Sequence, residues 1–164
     1  LISGELMKPK KQALTLCDDL FRMRLEQMLD QHHALYQLAE KIDWSVVEEQ
    51  FDQLYSEAGR PAIAIRLMVG LHYLKHIFNE SDETVVARWV ENPYWQYFCG
   101  EEYFRHELPI DPSQMTRFRK RIGEAGCEFM LSLTVVAGIS TQTVSQTSLA
   151  VVNVDSTVQE KAIS

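Results

Sequence analysis

Residues 61–78, PAIAIRLMVGLHYLKHIF, decide the fold. Ile63, Ile65, Leu67, Met68, Leu71, Leu74, Ile77 and Phe78 spread over most sides of a helix instead of forming one stripe. A helix that is apolar nearly all round belongs in the middle of a helical assembly. Pro61 suits the first turn of such a helix, and Gly59 suits the end of the one before it. The spacing therefore predicts a central helix over Ala62 to Phe78.

Upstream, Asp43 reads as the N-cap of a helix that buries Trp44, Val47, Phe51 and Leu54 on one stripe. Before it, Leu16, Leu20, Leu25, Met28, Leu29, Leu35, Leu38 and Ile42 return at helical spacing, with a weak point at DQHH, residues 30–33. Downstream, Ser81 reads as an N-cap, with Asp82 and Glu83 in the first turn where the macrodipole favours acids. That helix carries Val85, Val86, Trp89 and Val90 and is expected to end before Pro93. Residues 92–100, NPYWQYFCG, place four aromatics within five positions. No basic residues are interleaved, so the rings read first as a plug between helices, with a base-stacking platform as the alternative.

The stretch SLAVVNV, residues 148–154, is rich in β-branched residues and reads as a strand, ending on Asp155. A run of helices followed by one strand predicts a mainly α fold, with a helical domain before the opening of an α/β unit. Residues 1–15 are expected to form a flexible basic tail, 16–138 the helical domain, and 139–164 the start of the second unit. Leu1 is an unusual first residue, and Met7, followed by KPKK, offers an alternative start.

Composition narrows the class. The stretch free of charge from Leu131 to Val154 is broken by Gly138 and polar residues and does not read as a membrane span, and no signal-peptide pattern opens the chain. A cytoplasmic protein is the expectation. Cys17, Cys99 and Cys127 lie far apart without zinc spacing and are expected to be reduced thiols. Net charge is -7, but it is unevenly spread: residues 12–59 carry ten acids against three bases, whereas residues 105–123 carry five bases against two acids.

The basic excess coincides with DPSQMTRFRKRIG, residues 111–123. Asp111 reads as a cap, Pro112 fits the first helical position, and Gln114 stands where a capping box places it. At about 100° per residue, Met115, Phe118 and Ile122 share one face, Ser113, Gln114, Arg117, Lys120 and Arg121 share the other, and Arg119 falls at the apolar border. An apolar back for docking and an exposed face offering Gln and Arg to base edges, Ser and Lys to phosphates, is what a DNA-reading helix needs. The helix over 81–91 is its candidate support, although the connection is far longer than the turn of a helix-turn-helix. The plainer reading is a solvated face whose Lys120 and Arg121 complement the helix C-terminus. Separately, His72, His76 and Glu80 have a spacing that could hold a metal on one helix face, though such pairs more often hydrogen-bond at a helix surface.

Together, EKIDWSVVEEQFDQLY, GRPAIAIRLMVGLHYLKHIFNESDETVVARWVENPYWQYFCG, DPSQMTRFRKRIG and VVNVDSTVQEKAI resemble the N-terminal part of bacterial insertion-sequence transposases, of the family usually numbered five. The resemblance implies a helical domain that binds double-stranded terminal inverted repeats. It also implies a ribonuclease-H-like domain with Asp, Asp and Glu around Mg²⁺, in which Asp155 matches the first acid. Only that acid falls within the chain, so a truncated fragment without strand cleavage or transfer of its own is expected. The DNA-binding set expected is Ser113, Gln114, Arg117, Arg119, Lys120 and Arg121. The alternative is a fragment that associates with full-length transposase or with itself without useful DNA affinity; a decayed remnant is a third reading.

Overall fold

A computed structural model of the chain describes residues 22–55 and 63–140. Cys17, Gly59, Pro61, the expected strand over 148–154 and Asp155 lie outside the described residues. Among those described there is no strand, and the secondary structure is helical: α1 (Leu25–Met28), α2 (Ala34–Lys41), α3 (Trp44–Tyr55), α4 (Ile65–Phe78), α5 (Asp82–Glu91), α6 (Pro93–Phe98) and α7 (Ser113–Ser140). No helix among the described residues is long and apolar enough to cross a membrane.

α4 is the hub, touching α3, α5 and α7. Leu67, Met68, Val69, Leu71, Tyr73 and Leu74 are all buried on it, which is why its sequence shows no polar stripe. Its last turn leaves the core, contrary to the sequence expectation: Ile77 and Phe78 are exposed, and the chain then reverses through Asn79 in the left-handed conformation. Around α4 pack Val47 and Phe51 from α3, Val85, Val86 and Trp89 from α5, and Met115, Phe118 and Ile122 from α7.

The helix starts follow the local chemistry. The Asp43 carboxylate accepts from the backbone N–H of Ser45 and Val46 at 3.2 and 3.3 Å. Ser81 and Thr84 form a reciprocal capping box. Asn92 accepts from the N–H groups of Tyr94 and Trp95, and Pro93 stands in the first turn of α6. The weak point at DQHH is realised as a break between α1 and α2, where the Asp30 carboxylate turns back to the His32 N–H at 2.9 Å.

The aromatic stretch forms α6 and fills the space between helices. Trp95 and Phe98 are buried, Phe98 meets Trp44 edge-on with ring centroids 5.3 Å apart, and Tyr97 stacks on Tyr36 at 4.7 Å. Cys99 and Cys127 are free thiols; Cys99 is fully buried, and burial pushes its pKa up.

α7 is interrupted near its middle. Gly123 has φ 65° and ψ -166°, an extended left-handed conformation open in practice to glycine alone, so the helix breaks there. It resumes and runs to Ser140, just past residue 138, where the helical domain is expected to end.

Candidate nucleic-acid interface

Asp111 caps the first half of α7, which starts at Ser113. The Asp111 carboxylate accepts from the Ser113 N–H at 2.9 Å, and the Asp111 carbonyl accepts from the Gln114 N–H at 2.9 Å. The hydrogen bonds from Ser113 hold the Asp111 carboxyl below its ordinary pKa. Met115, Phe118 and Ile122 are buried, and Phe118 packs against Phe51 and the ring of His72.

The opposite face carries Ser113, Arg117, Lys120 and Arg121 exposed and Gln114 half-buried. Among the described residues, neither Arg117 nor Lys120 has an acidic group within ion-pair distance. Most other described arginines are engaged: Arg24 with Glu102, Arg88 with Glu80, Arg105 with Glu101, while Arg66 donates to the carbonyls of Phe98 and Tyr97. Among the described residues, Arg117, Lys120 and Arg121 thus form an exposed basic cluster on one helical face.

Arg119 differs from its neighbours in the basic run. Its guanidinium meets the Asp82 carboxylate in a two-pronged pair, Nη2–Oδ2 at 2.7 Å and Nη1–Oδ1 at 3.0 Å. The same carboxylate receives Lys75 Nζ at 2.6 Å and Thr116 Oγ1 at 3.3 Å. Hydrogen bonding by Arg119, with a further contribution from Lys75, holds Asp82 far below the usual carboxylate range. The sequence-expected site therefore divides: Ser113, Gln114, Arg117, Lys120 and Arg121 share the outer face, and Arg119 is turned inward.

Two more groups complete the setting. His72 is buried, not at a helix surface; its Nδ1 lies 2.7 Å from the Met68 carbonyl and its Nε2 lies 3.3 Å from Arg119 Nη1. Glu80 is paired with Arg88, so His72, His76 and Glu80 do not form a metal site, and among the described residues no three His, Cys, Asp or Glu side chains are placed to hold an ion. Gln96, fully buried, clamps the loop leading to α7: its Nε2 donates to the Arg105 carbonyl at 2.8 Å and its Oε1 accepts from the Arg105 N–H at 2.8 Å. The sequence gives no sign of this role, because both partners are backbone groups of an irregular segment.

A cavity of about 200 Å³ opens between α3, α4 and the second half of α7, lined by Trp44, Val47, Val69, Tyr73, Met130 and Leu133 among others. Its wall is largely apolar. The His72 and Arg119 groups that reach it already have partners within the protein. The basic face of α7 is accordingly the more informative surface.

Residues 23–121 match the family described as "Transposase domain (DUF772)", a span that begins just before α1 and ends within the basic helix. A curated relative from Rhizobium meliloti, "Uncharacterized protein ORF8 in nfe locus", is 56% identical over 146 residues, covering 89% of this chain and 70% of that one. No solved structure matches. The family match covers most of the described helices, including the whole face from Ser113 to Arg121. The chain belongs to the DUF772 transposase domain family.

Proposed function

We propose that the chain binds double-stranded DNA through the first half of α7, as the DNA-docking part of a transposase acting on terminal inverted repeats. The observation that carries this reading is the two-sidedness of residues 113–122: Met115, Phe118 and Ile122 are buried while Arg117 and Lys120 project from the exposed face without acidic partners among the described residues. Gln114 and Arg117 have the donors to read base edges in a major groove, and Ser113, Lys120 and Arg121 suit phosphates. α5 touches α7 and would act as the supporting helix.

Cleavage and transfer of strands, with Asp155 as the first of three acids around Mg²⁺, is what the resemblance implies for the family. Asp155 lies outside the described residues.

Retardation of a labelled duplex carrying the terminal repeat, measured across a salt series, tests the proposal. Replacing Arg117 and Arg121 by Ala is expected to weaken binding and to flatten the plot of log affinity against log salt by about 0.9 for each phosphate no longer neutralised. Unchanged affinity and slope in the double variant would show that this face does not touch DNA.

A further inference from the structure

Arg119 lies within the most basic stretch of the chain, yet its side chain is turned to a partner inside the protein. Its pair with Asp82 joins α7 to α5, and Lys75 ties the same carboxylate to α4, so one acid links three helices. The Asp82 side chain is 13% exposed and that of Arg119 32%. Thr116, one turn earlier on α7, donates to Asp82 Oδ2 at 3.3 Å and accepts from Arg119 Nη2 at 3.1 Å. Apolar packing of Met115, Phe118 and Ile122 holds α7 against the core but is non-directional and tolerates rolling about the helix axis. A planar guanidinium on a planar carboxylate is directional and resists that roll.

We propose that Asp82, Arg119 and Thr116 form a positioning lock that fixes the rotation of the DNA-facing helix, so that Arg119 governs DNA binding through orientation and does not touch the duplex. The inference rests on the DNA-binding reading above. It divides the cations of α7 into two kinds: Arg117 and Lys120 meet the ligand, whereas Arg119 aims them.

Two measurements on the full chain separate the lock from its purpose. Amide hydrogen exchange over residues 113–122 reports the lock directly. Asp82→Asn and Arg119→Gln are each expected to speed exchange there by about tenfold or more, while the amides of α4 keep their protection. Unaltered exchange on α7 would overturn the lock. A variant that unfolds is recognised by loss of protection on α4, in which case Thr116→Val, which removes one hydroxyl and leaves the ion pair, takes its place in the same test.

The second measurement uses a duplex enriched from a random-sequence pool by the wild-type chain, with Kd determined across a salt series. Each single variant is expected to weaken binding about tenfold, and the double variant no further, as for partners in one interaction. The salt slope should stay that of the wild type, since every phosphate keeps its cation. If Arg119→Gln instead removes about one unit of slope while Asp82→Asn binds normally, Arg119 touches a phosphate and the proposal is wrong. If the wild-type chain enriches no duplex, the DNA reading itself fails and takes the lock's function with it; hydrogen exchange still decides whether the lock exists.

Discussion

His72 is the side chain through which mild acid reaches the core. Its Nδ1 donates to the Met68 carbonyl and its Nε2 accepts from Arg119, an arrangement available only to the neutral ring. Burial, reinforced by the positive Arg119, pushes its pKa down from 6.5 to about 4 against the opposing effect of the Met68 carbonyl. The unfolded chain binds a proton at this residue below pH 6.5, whereas the folded chain does not until about pH 4, so the native state loses ground as pH falls through that window. The loss reaches roughly 3 kcal/mol at the acid end and is absent above the window. Urea midpoints measured from pH 7 to pH 4 should fall accordingly, and His72→Gln should remove most of the fall. A variant with the wild-type profile would assign the effect to other groups. Asp82 acts in a separate range: its depressed pKa contributes stability that is lost only below its ordinary value of 3.8. At this scale the sequence is partly legible. Helical spacing places Arg119 at the apolar border, which hints that it turns inward, but its partner lies 37 positions earlier and no local pattern connects them.

Among the helices, starts are legible and interruptions are not. Asp43, Ser81 and Asp111 each cap as their residue types suggest, because an N-cap is an interaction within three residues of sequence. Gly123 is different: helical apolar spacing continues past it, from Ile122 to Phe129 and Leu133, and no capping pattern marks the left-handed turn. Gly70 carries a similar hidden constraint. It lies in the middle of α4, where glycine normally weakens a helix, but a Cβ at that position would fall 2.7 Å from Cys99 Sγ and 3.3 Å from Cys99 Cα. The close approach of α4 to the end of α6 therefore requires the missing side chain. Gly70→Ala should gain helix propensity and still lower stability by about 1–3 kcal/mol, because neither the sulfur nor the backbone behind it has room to retreat. A urea midpoint equal to or above that of the wild type would mean that the two elements separate more easily than their packing suggests.

At the scale of the molecule, the acidic and basic clusters of the sequence fall on different helices, α3 and α7. Glu48, Glu49 and Asp52 are exposed on α3, and Arg117, Lys120 and Arg121 are exposed together on the first half of α7. α3 meets α7 through the buried Phe51 and Phe118, so the exposed acids of α3 and the exposed cations of α7 point away from that contact. At 0.15 M salt the screening length is about 8 Å, less than one helix diameter. Exchanging Glu48 and Glu49 for Gln and Asp52 for Asn should therefore change duplex affinity by less than about twofold at that salt, with a larger gain only at low ionic strength. A strong effect at 0.15 M would place those acids beside the ligand. The mainly helical architecture is legible because its amphipathic periods are, while the strand expected near Asp155 lies outside the described residues. The break at Gly123 also sets a length. The segment from Ser113 to Ile122 is a rod of about 15 Å, comparable to the roughly 12 Å breadth of a major groove. Without the turn, the 28 residues of α7 would extend for about 42 Å. The break thus confines the straight, base-facing part of α7 to a length on the scale of the groove it is proposed to enter.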